Sequence, residues 1–196
     1  MRLKLVLLLG TYLVGSIPFG YLYSRYVEGV DVRSQGSGNI GATNVLRNFG
    51  WLPGVSVLLL DALKGALPVS LAMSLLPGDH LTWILVGASA ILGHVLSIFL
   101  YFEGGKGVAT SAGVFAVLTP QALVIALAVF APVVGVTRYM SAGSLTGALT
   151  LPLAAGYFLE PTDPIVLGAW VLTIMVYWQH RANIKRLVRG EEETFF

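Results

Sequence analysis

The chain alternates between long apolar runs and short polar stretches dotted with glycine. The apolar runs cover residues 1–24, 51–76, 81–102, 112–136, 142–158 and 165–179. Several reach the roughly 20 residues that an α-helix needs to cross a bilayer. Only helices and closed barrels satisfy their own backbone groups in lipid, and runs this long and apolar predict helices. The pattern therefore predicts an all-α integral membrane protein, organised as a single domain over residues 1–196.

Composition agrees. Of 196 residues, 56% are hydrophobic and 11% charged, against roughly 25% charged in ordinary soluble domains. With no cysteine, a disulfide framework, a thiolate metal site and a cysteine nucleophile are all excluded. The net charge of +2 says little, but the placement of charge says more. Arg2 and Lys4 ahead of Leu5–Leu9 resemble the start of a secretory signal, although the polar loop that follows favours an uncleaved span. Arg25, Arg33 and Arg47 then place that loop in the cytoplasm by the positive-inside rule.

Residues 112–136 decide the topology. As one span they would carry Arg138, and later Arg181, Lys185, Arg186 and Arg189, to the outside. Pro120 interrupts the run, and two short helices folded back there return the chain to the cytoplasm. The expectation is seven helical segments: five full spans plus a short-helix hairpin. The N-terminus lies outside and the C-terminus in the cytoplasm. Pro77-Gly78-Asp79 and Glu160-Pro161-Thr162-Asp163-Pro164 are outer turns, and the Glu191–Glu193 tail reads as a solvated end.

Two loops stand out. Gly36-Ser37-Gly38-Asn39-Ile40-Gly41-Ala42-Thr43-Asn44-Val45-Leu46-Arg47 is the longest polar run. Its glycines free the backbone to turn and bring N–H groups toward an anion. Ser37, Asn39, Thr43 and Asn44 add neutral donors, and Arg47 adds a charge shaped for phosphate. The run reads equally well as a polar connector between helices. Gly36, Gly38 and Gly41 spell the dinucleotide fingerprint, but the strand and βαβ unit it requires are missing from this pattern. The second loop, Glu103-Gly104-Gly105-Lys106-Gly107, rings one lysine with glycines. It is no Walker A motif, since Leu100 stands where that needs glycine and Gly107 follows the lysine.

Inside the spans, Asp61 and Lys64 lie at i and i+3 and can neutralise each other. A buried pair that fixes helix packing and a role supporting an active site both remain open. His94 reads as a hydrogen-bonded packing residue rather than a ligand. With the expected topology, Ser37, Arg47, Lys106, Arg138, Ser141, His180, Arg181 and Asn183 collect on the cytoplasmic face. Cationic and hydroxyl donors beside glycine loops suit a phosphate-bearing substrate at the lipid boundary. Orientation alone explains Arg186 and Arg189, but not the glycines around Ser37 and Lys106.

GSGNIGATNVLR, GGKGVAT and HRANIKRL, with GSIPFG early and GHVLSIF before the second loop, closely resemble the acyl-phosphate-dependent glycerol-3-phosphate acyltransferases of bacteria. The resemblance runs over nearly the whole chain in the right order. It implies transfer of a fatty acyl group from acyl phosphate to the 1-hydroxyl of glycerol 3-phosphate. The products would be lysophosphatidic acid and phosphate, at the first step of phospholipid synthesis in the cell inner membrane. It implies seven membrane helices, an active site facing the cytoplasm, membrane lipid around it and a soluble supplier of acyl phosphate. By resemblance, Ser37, Arg47 and Lys106 belong to the phosphate-handling core together with Gly38, Asn39, Gly41, Thr43 and Asn44. Gly104, Gly105 and Gly107 would grip acyl phosphate through backbone amides, while Ser141, His180 and Asn183 stand near glycerol 3-phosphate. Some relatives carry an acidic residue where this chain has Ala182, so that position holds no essential base here. The proton acceptor is then either His180 or a substrate phosphate, and the second is favoured because no carboxylate stands in the three motifs. No cofactor, metal or nucleic-acid partner is expected.

Many glycerolipid acyltransferases use a histidine and an aspartate separated by four residues. His80, His94 and His180 are instead followed at that spacing by Leu85, Phe99 and Lys185, which disfavours thioester donors. The rival from another class is an organophosphate transporter. That would call for inverted repeats and a midplane site between broken helices. The pattern offers one broken element and polar chemistry at one face.

Overall fold

The computed structural model describes residues 1–195, and every regular element among them is helical. In chain order the α-helices are α1 (Arg2–Ser16), α2 (Phe19–Tyr26), α3 (Ala42–Phe49), α4 (Trp51–Leu75), α5 (His80–Val95), α6 (Val108–Leu118), α7 (Pro120–Thr137), α8 (Met140–Phe158), α9 (Pro164–Gln179) and α10 (Arg181–Arg189), with short 3-10 turns at Val32–Ser34 and Ile98–Leu100. Arg2–Tyr26, Trp51–Leu75, His80–Leu100 and Pro120–Thr137 are each long and apolar enough to span a membrane. Val108–Leu118 and Pro164–Gln179 are shorter apolar helices, and α8 adds 19 residues. The chain divides into two compact units, Met1–Val117 and the residues from Leu118 onward.

In the first unit, α1 and α2 form one apolar run broken at Ile17-Pro18, where proline supplies no N–H. α5 lies directly on α1. A Cβ at Gly93 would sit 2.8 Å from the Ser16 nitrogen and 2.9 Å from the Gly15 carbonyl carbon, so only glycine admits this approach. Ser97 Oγ donates to the Ser16 carbonyl at 2.6 Å, and Tyr12 Oη donates to that of Leu96 at 2.7 Å. These bonds satisfy carbonyls that the ends of α1 and α5 leave over.

The polar connector between α2 and α4 is folded. Val32, Ile40 and Val45 are buried with Val57 and Leu100, and Tyr21, Tyr23 and Phe49 pack around them. The run expected as a loop thus has its own apolar core, and its second half winds into α3.

Asp79 starts α5, accepting from Thr82 N at 3.0 Å and Thr82 Oγ1 at 2.8 Å, and pairs with Lys4 Nζ at 2.5 Å. Hydrogen bonds from Lys4 and Thr82 pull its pKa from 3.8 to about 2. A depressed carboxylate stabilises the fold above its ordinary value and loses that contribution as pH falls toward the shifted one. Asp79→Ala is accordingly expected to lower the melting temperature near neutral pH, with the gap to the parent closing as pH approaches 2. Melts of both proteins across that range in detergent check it.

The second unit contains α7 to α10. α8 carries Ser144, Thr146 and Thr150, whose hydroxyls bond back to the carbonyls of Met140, Ala142 and Thr146 at 2.8, 3.0 and 2.8 Å. That internal satisfaction lets a hydroxyl-rich helix sit among apolar neighbours. Thr173 Oγ1 of α9 donates to the Ala148 carbonyl at 2.7 Å and joins the two helices.

The run over 112–136 does break at Pro120, which opens α7 at its first position. The second piece is longer than a half-helix: α7 has 18 residues and qualifies as a span.

Candidate active site

Asn44 organises the first predicted loop. It is buried in α3, and its Nδ2 lies within hydrogen-bond reach of the carbonyls of Val32, Gln35 and Asn39, at 3.2, 3.0 and 2.9 Å. Its Oδ1 accepts from Ser37 N at 3.0 Å and from Asn48 Nδ2 at 3.0 Å. Gly36 and Gly38 take φ of +49° and +71°, a region that favours glycine, and this lets the chain wrap around that amide.

Several of the loop's amides bond within the loop itself. Gly38 N donates to the Gln35 carbonyl at 2.9 Å, and Gly41 N donates to Asn39 Oδ1 at 2.8 Å. Of the glycine amides expected to turn toward an anion, those of Gly38 and Gly41 bond within the loop. Ser37 remains exposed, and Thr43 and Arg47 are partly exposed on α3. Their side chains, with the N-terminal end of α3, carry the loop's capacity for an anion.

The lysine loop is likewise docked. Gly104 N donates to the Val95 carbonyl and Gly105 N to the His94 carbonyl, each at 3.0 Å. These are the carbonyls that the last turn of α5 leaves unpaired. The amides of Gly104 and Gly105, expected to face acyl phosphate, thus bind helix α5. Gly107 has φ of +79° and starts the turn into α6. What the arrangement offers a ligand here is the half-buried Lys106 side chain, on a backbone fixed on both sides.

Behind this loop lies the expected ion pair. Asp61 Oδ1 and Lys64 Nζ are 2.8 Å apart, with both side chains 2% exposed. Lys64 Nζ also donates to the Ile17 carbonyl at 2.8 Å. His94 is buried too, and its Nδ1 lies 3.6 Å from Asp61 Oδ1.

In the second unit, Ser141 lies in the first turn of α8 and Asn183 on α10, and both are buried. The structure brings these two together, because both donate to Glu192 Oε1 at 2.6 Å. Arg186 Nε donates to Glu192 Oε2 at 2.7 Å. Glu192 belongs to the tail that sequence reasoning left in solvent, and it is the residue that reasoning missed. Burial pushes its carboxyl upward, yet the bonds from Ser141, Asn183 and Arg186 outweigh this and hold it below the ordinary carboxylate value. A signal was present in Gly190, which has φ of +69° after α10. It turns the chain back, with Glu191 N donating to the Arg186 carbonyl at 2.9 Å.

His180 sits at the joint of α9 and α10 and is 2% exposed. Its Nδ1 lies 2.8 Å from the Val176 carbonyl. A carbonyl only accepts, so Nδ1 carries the proton and Nε2 presents a lone pair when the ring is neutral.

The chain matches the family model described as Glycerol-3-phosphate acyltransferase over residues 5–190. It is 48% identical to the glycerol-3-phosphate acyltransferase of Myxococcus xanthus, covering 97% of this chain and 98% of the other. With that of Geobacter sulfurreducens it shares 46% identity, covering 98% and 97%. It is also similar to the crystal structure of PlsY, an integral membrane glycerol 3-phosphate acyltransferase, in its glycerol 3-phosphate form. The TM-score is 0.93 at 36% identity, covering 98% and 96% of the two chains. The lysophosphatidic acid form of PlsY gives a TM-score of 0.90 at 35% identity, covering 97% and 94%. Similarity of this extent, over essentially the full length, shows that the chain belongs to the family of integral membrane glycerol-3-phosphate acyltransferases.

Proposed function

We propose that this acyltransferase takes its acyl group from an acyl phosphate and gives lysophosphatidic acid and inorganic phosphate. The whole chain, residues 1–196, acts as one acyltransferase domain. The observation that carries the donor is the lysine loop: a single ammonium on a backbone docked to the end of α5. Such a group suits a compact phosphate leaving group, and the histidine–aspartate spacing used with thioesters is absent from the sequence.

The oxygen of the glycerol 3-phosphate 1-hydroxyl attacks the acyl carbonyl carbon. The bond from that carbon to the phosphate oxygen breaks, and the hydroxyl proton passes to a phosphate oxygen. Acyl phosphate is already activated, so the protein aligns the reactants and stabilises the charge that develops. Lys106 and Arg47 neutralise phosphate, while Ser37 and Thr43 donate hydroxyl hydrogen bonds. Asn44, Gly38, Asn39 and Gly41 give their loop its shape, and Gly104, Gly105 and Gly107 seat the lysine. Ser141, His180 and Asn183 bind glycerol 3-phosphate, the first and last of them held in place by Glu192. The clustering of basic residues in these segments supports a site on the cytoplasmic side of a bacterial inner membrane, with the N-terminus outside and the C-terminus inside. A soluble enzyme supplies the acyl phosphate.

Purified protein given palmitoyl phosphate and glycerol 3-phosphate is expected to release phosphate only when both are present. Palmitoyl-CoA in place of palmitoyl phosphate is expected to give no acyl transfer. Turnover with the thioester and none with the phosphate would overturn the donor.

A further inference from the structure

The cluster of Asp61, Lys64 and His94 has no part in the chemistry above, yet its placement is costly. A charged side chain at the centre of a membrane helix is costly to insert. Replacing a buried ion pair with well-packed apolar residues is often neutral or stabilising. Packing alone would therefore be served at least as well by two apolar side chains, and the geometry points to a different use.

The cluster ties three elements to the lysine loop. Lys64 Nζ bonds the Ile17 carbonyl at the α1–α2 break, and the Phe19 ring centre just beyond lies 5.6 Å from that ammonium. Asp61, one turn earlier on α4, faces Nδ1 of His94 at 3.6 Å. The other edge of the same imidazole meets Gly105. A Cβ built on Gly105 would collide with His94 Nε2 and come within 3.1 Å of both Cδ2 and Cε1. The His94 carbonyl also receives the Gly105 N–H at 3.0 Å. One residue thus grips the loop by backbone and by ring, one position before Lys106, while the buried carboxylate faces the far side of that ring.

We propose that Asp61, Lys64 and His94 form a positioning device: the ion pair sets the imidazole, and the imidazole is the wall against which Gly105 seats Lys106. The inference rests on the reading of Lys106 as the group that handles phosphate in catalysis. α5 itself is held by Ser97 and Gly93 against α1, so the ring is the adjustable member. Losing the carboxylate lets it turn and the lysine shift. A displacement of about 1 Å at a reacting group can cost roughly a hundredfold in rate.

The test uses full-length protein in detergent, with melting temperature, kcat and KM measured for each variant. Asp61→Asn/Lys64→Met removes both charges, so neither is left buried alone. It is expected to melt close to the parent yet lose about tenfold in kcat, with KM for glycerol 3-phosphate within about threefold. Gly105→Ala is expected to lose roughly a hundredfold by itself, but less than about threefold further when added to His94→Ala, where the ring is gone. A charge-free variant with parental kcat, or a Gly105→Ala loss of equal size with and without His94, would overturn the proposal. Lys106→Ala runs beside them. Full turnover in that variant would overturn the lysine reading and this purpose of the cluster with it. An inactive Lys106→Ala beside a fully active charge-free variant would overturn the positioning alone.

Discussion

Lys106→Ala protein, folded and purified, is expected to release phosphate from palmitoyl phosphate and glycerol 3-phosphate at least about a hundred- to a thousandfold more slowly than the parent. That is the range for removing one group aimed at charge that develops in a transition state. The loop makes the expectation specific. Gly104 and Gly105 have committed their amides to α5, so these two cannot compensate for a missing ammonium. Lys106→Arg is expected to restore only part of the rate, since a planar fork is wider than the point charge it replaces. His180→Ala provides the internal comparison. With a substrate phosphate taking the proton, its kcat falls clearly less than that of Lys106→Ala. Equal losses would move the proton to His180 Nε2 instead.

The second large effect is expected at Glu192. Glu192→Ala removes the shared acceptor of the buried Ser141 hydroxyl and the buried Asn183 amide, together with the carboxylate partner of the partly exposed Arg186. A buried donor left unsatisfied costs about 1–3 kcal/mol. The variant is expected to melt well below the parent and to show KM for glycerol 3-phosphate raised by roughly tenfold or more, because Ser141 and Asn183 lose their common reference. Glu192→Gln still offers one carbonyl oxygen and is expected to fall between the two. The sign of the pH dependence follows from the depressed carboxyl. The bonding is complete above the ordinary carboxylate value of 4.5 and fades as pH falls below it. Melts of Glu192→Ala and parent therefore converge in acid.

The sequence made the helices and both glycine loops legible for one reason: each is a sharp contrast in polarity written in consecutive residues. The break at Pro120 was readable because proline removes a donor wherever it stands. Asp61 and Lys64 were readable as a pair because i and i+3 share a helix face. What escaped were choices of partner made across the fold. Nothing local says that the amides of Gly104 and Gly105 find α5 carbonyls rather than a ligand. Nor does anything in Glu191-Glu192-Glu193 distinguish the middle carboxylate, since alternate residues of an extended tail differ only in where they point. Gly190 was the clue that the tail turns back.

The Asn44 hub has a consequence for how ligand is received. Its amide fixes the carbonyls of Val32, Gln35 and Asn39 in the folded chain, and the apolar core beneath them is closed. The conformational entropy of ordering this connector is thus spent during folding, not at the moment of binding. An arriving anion meets a receptor whose shape already exists, and the connector's amides should resist hydrogen exchange in the empty protein almost as a helix does.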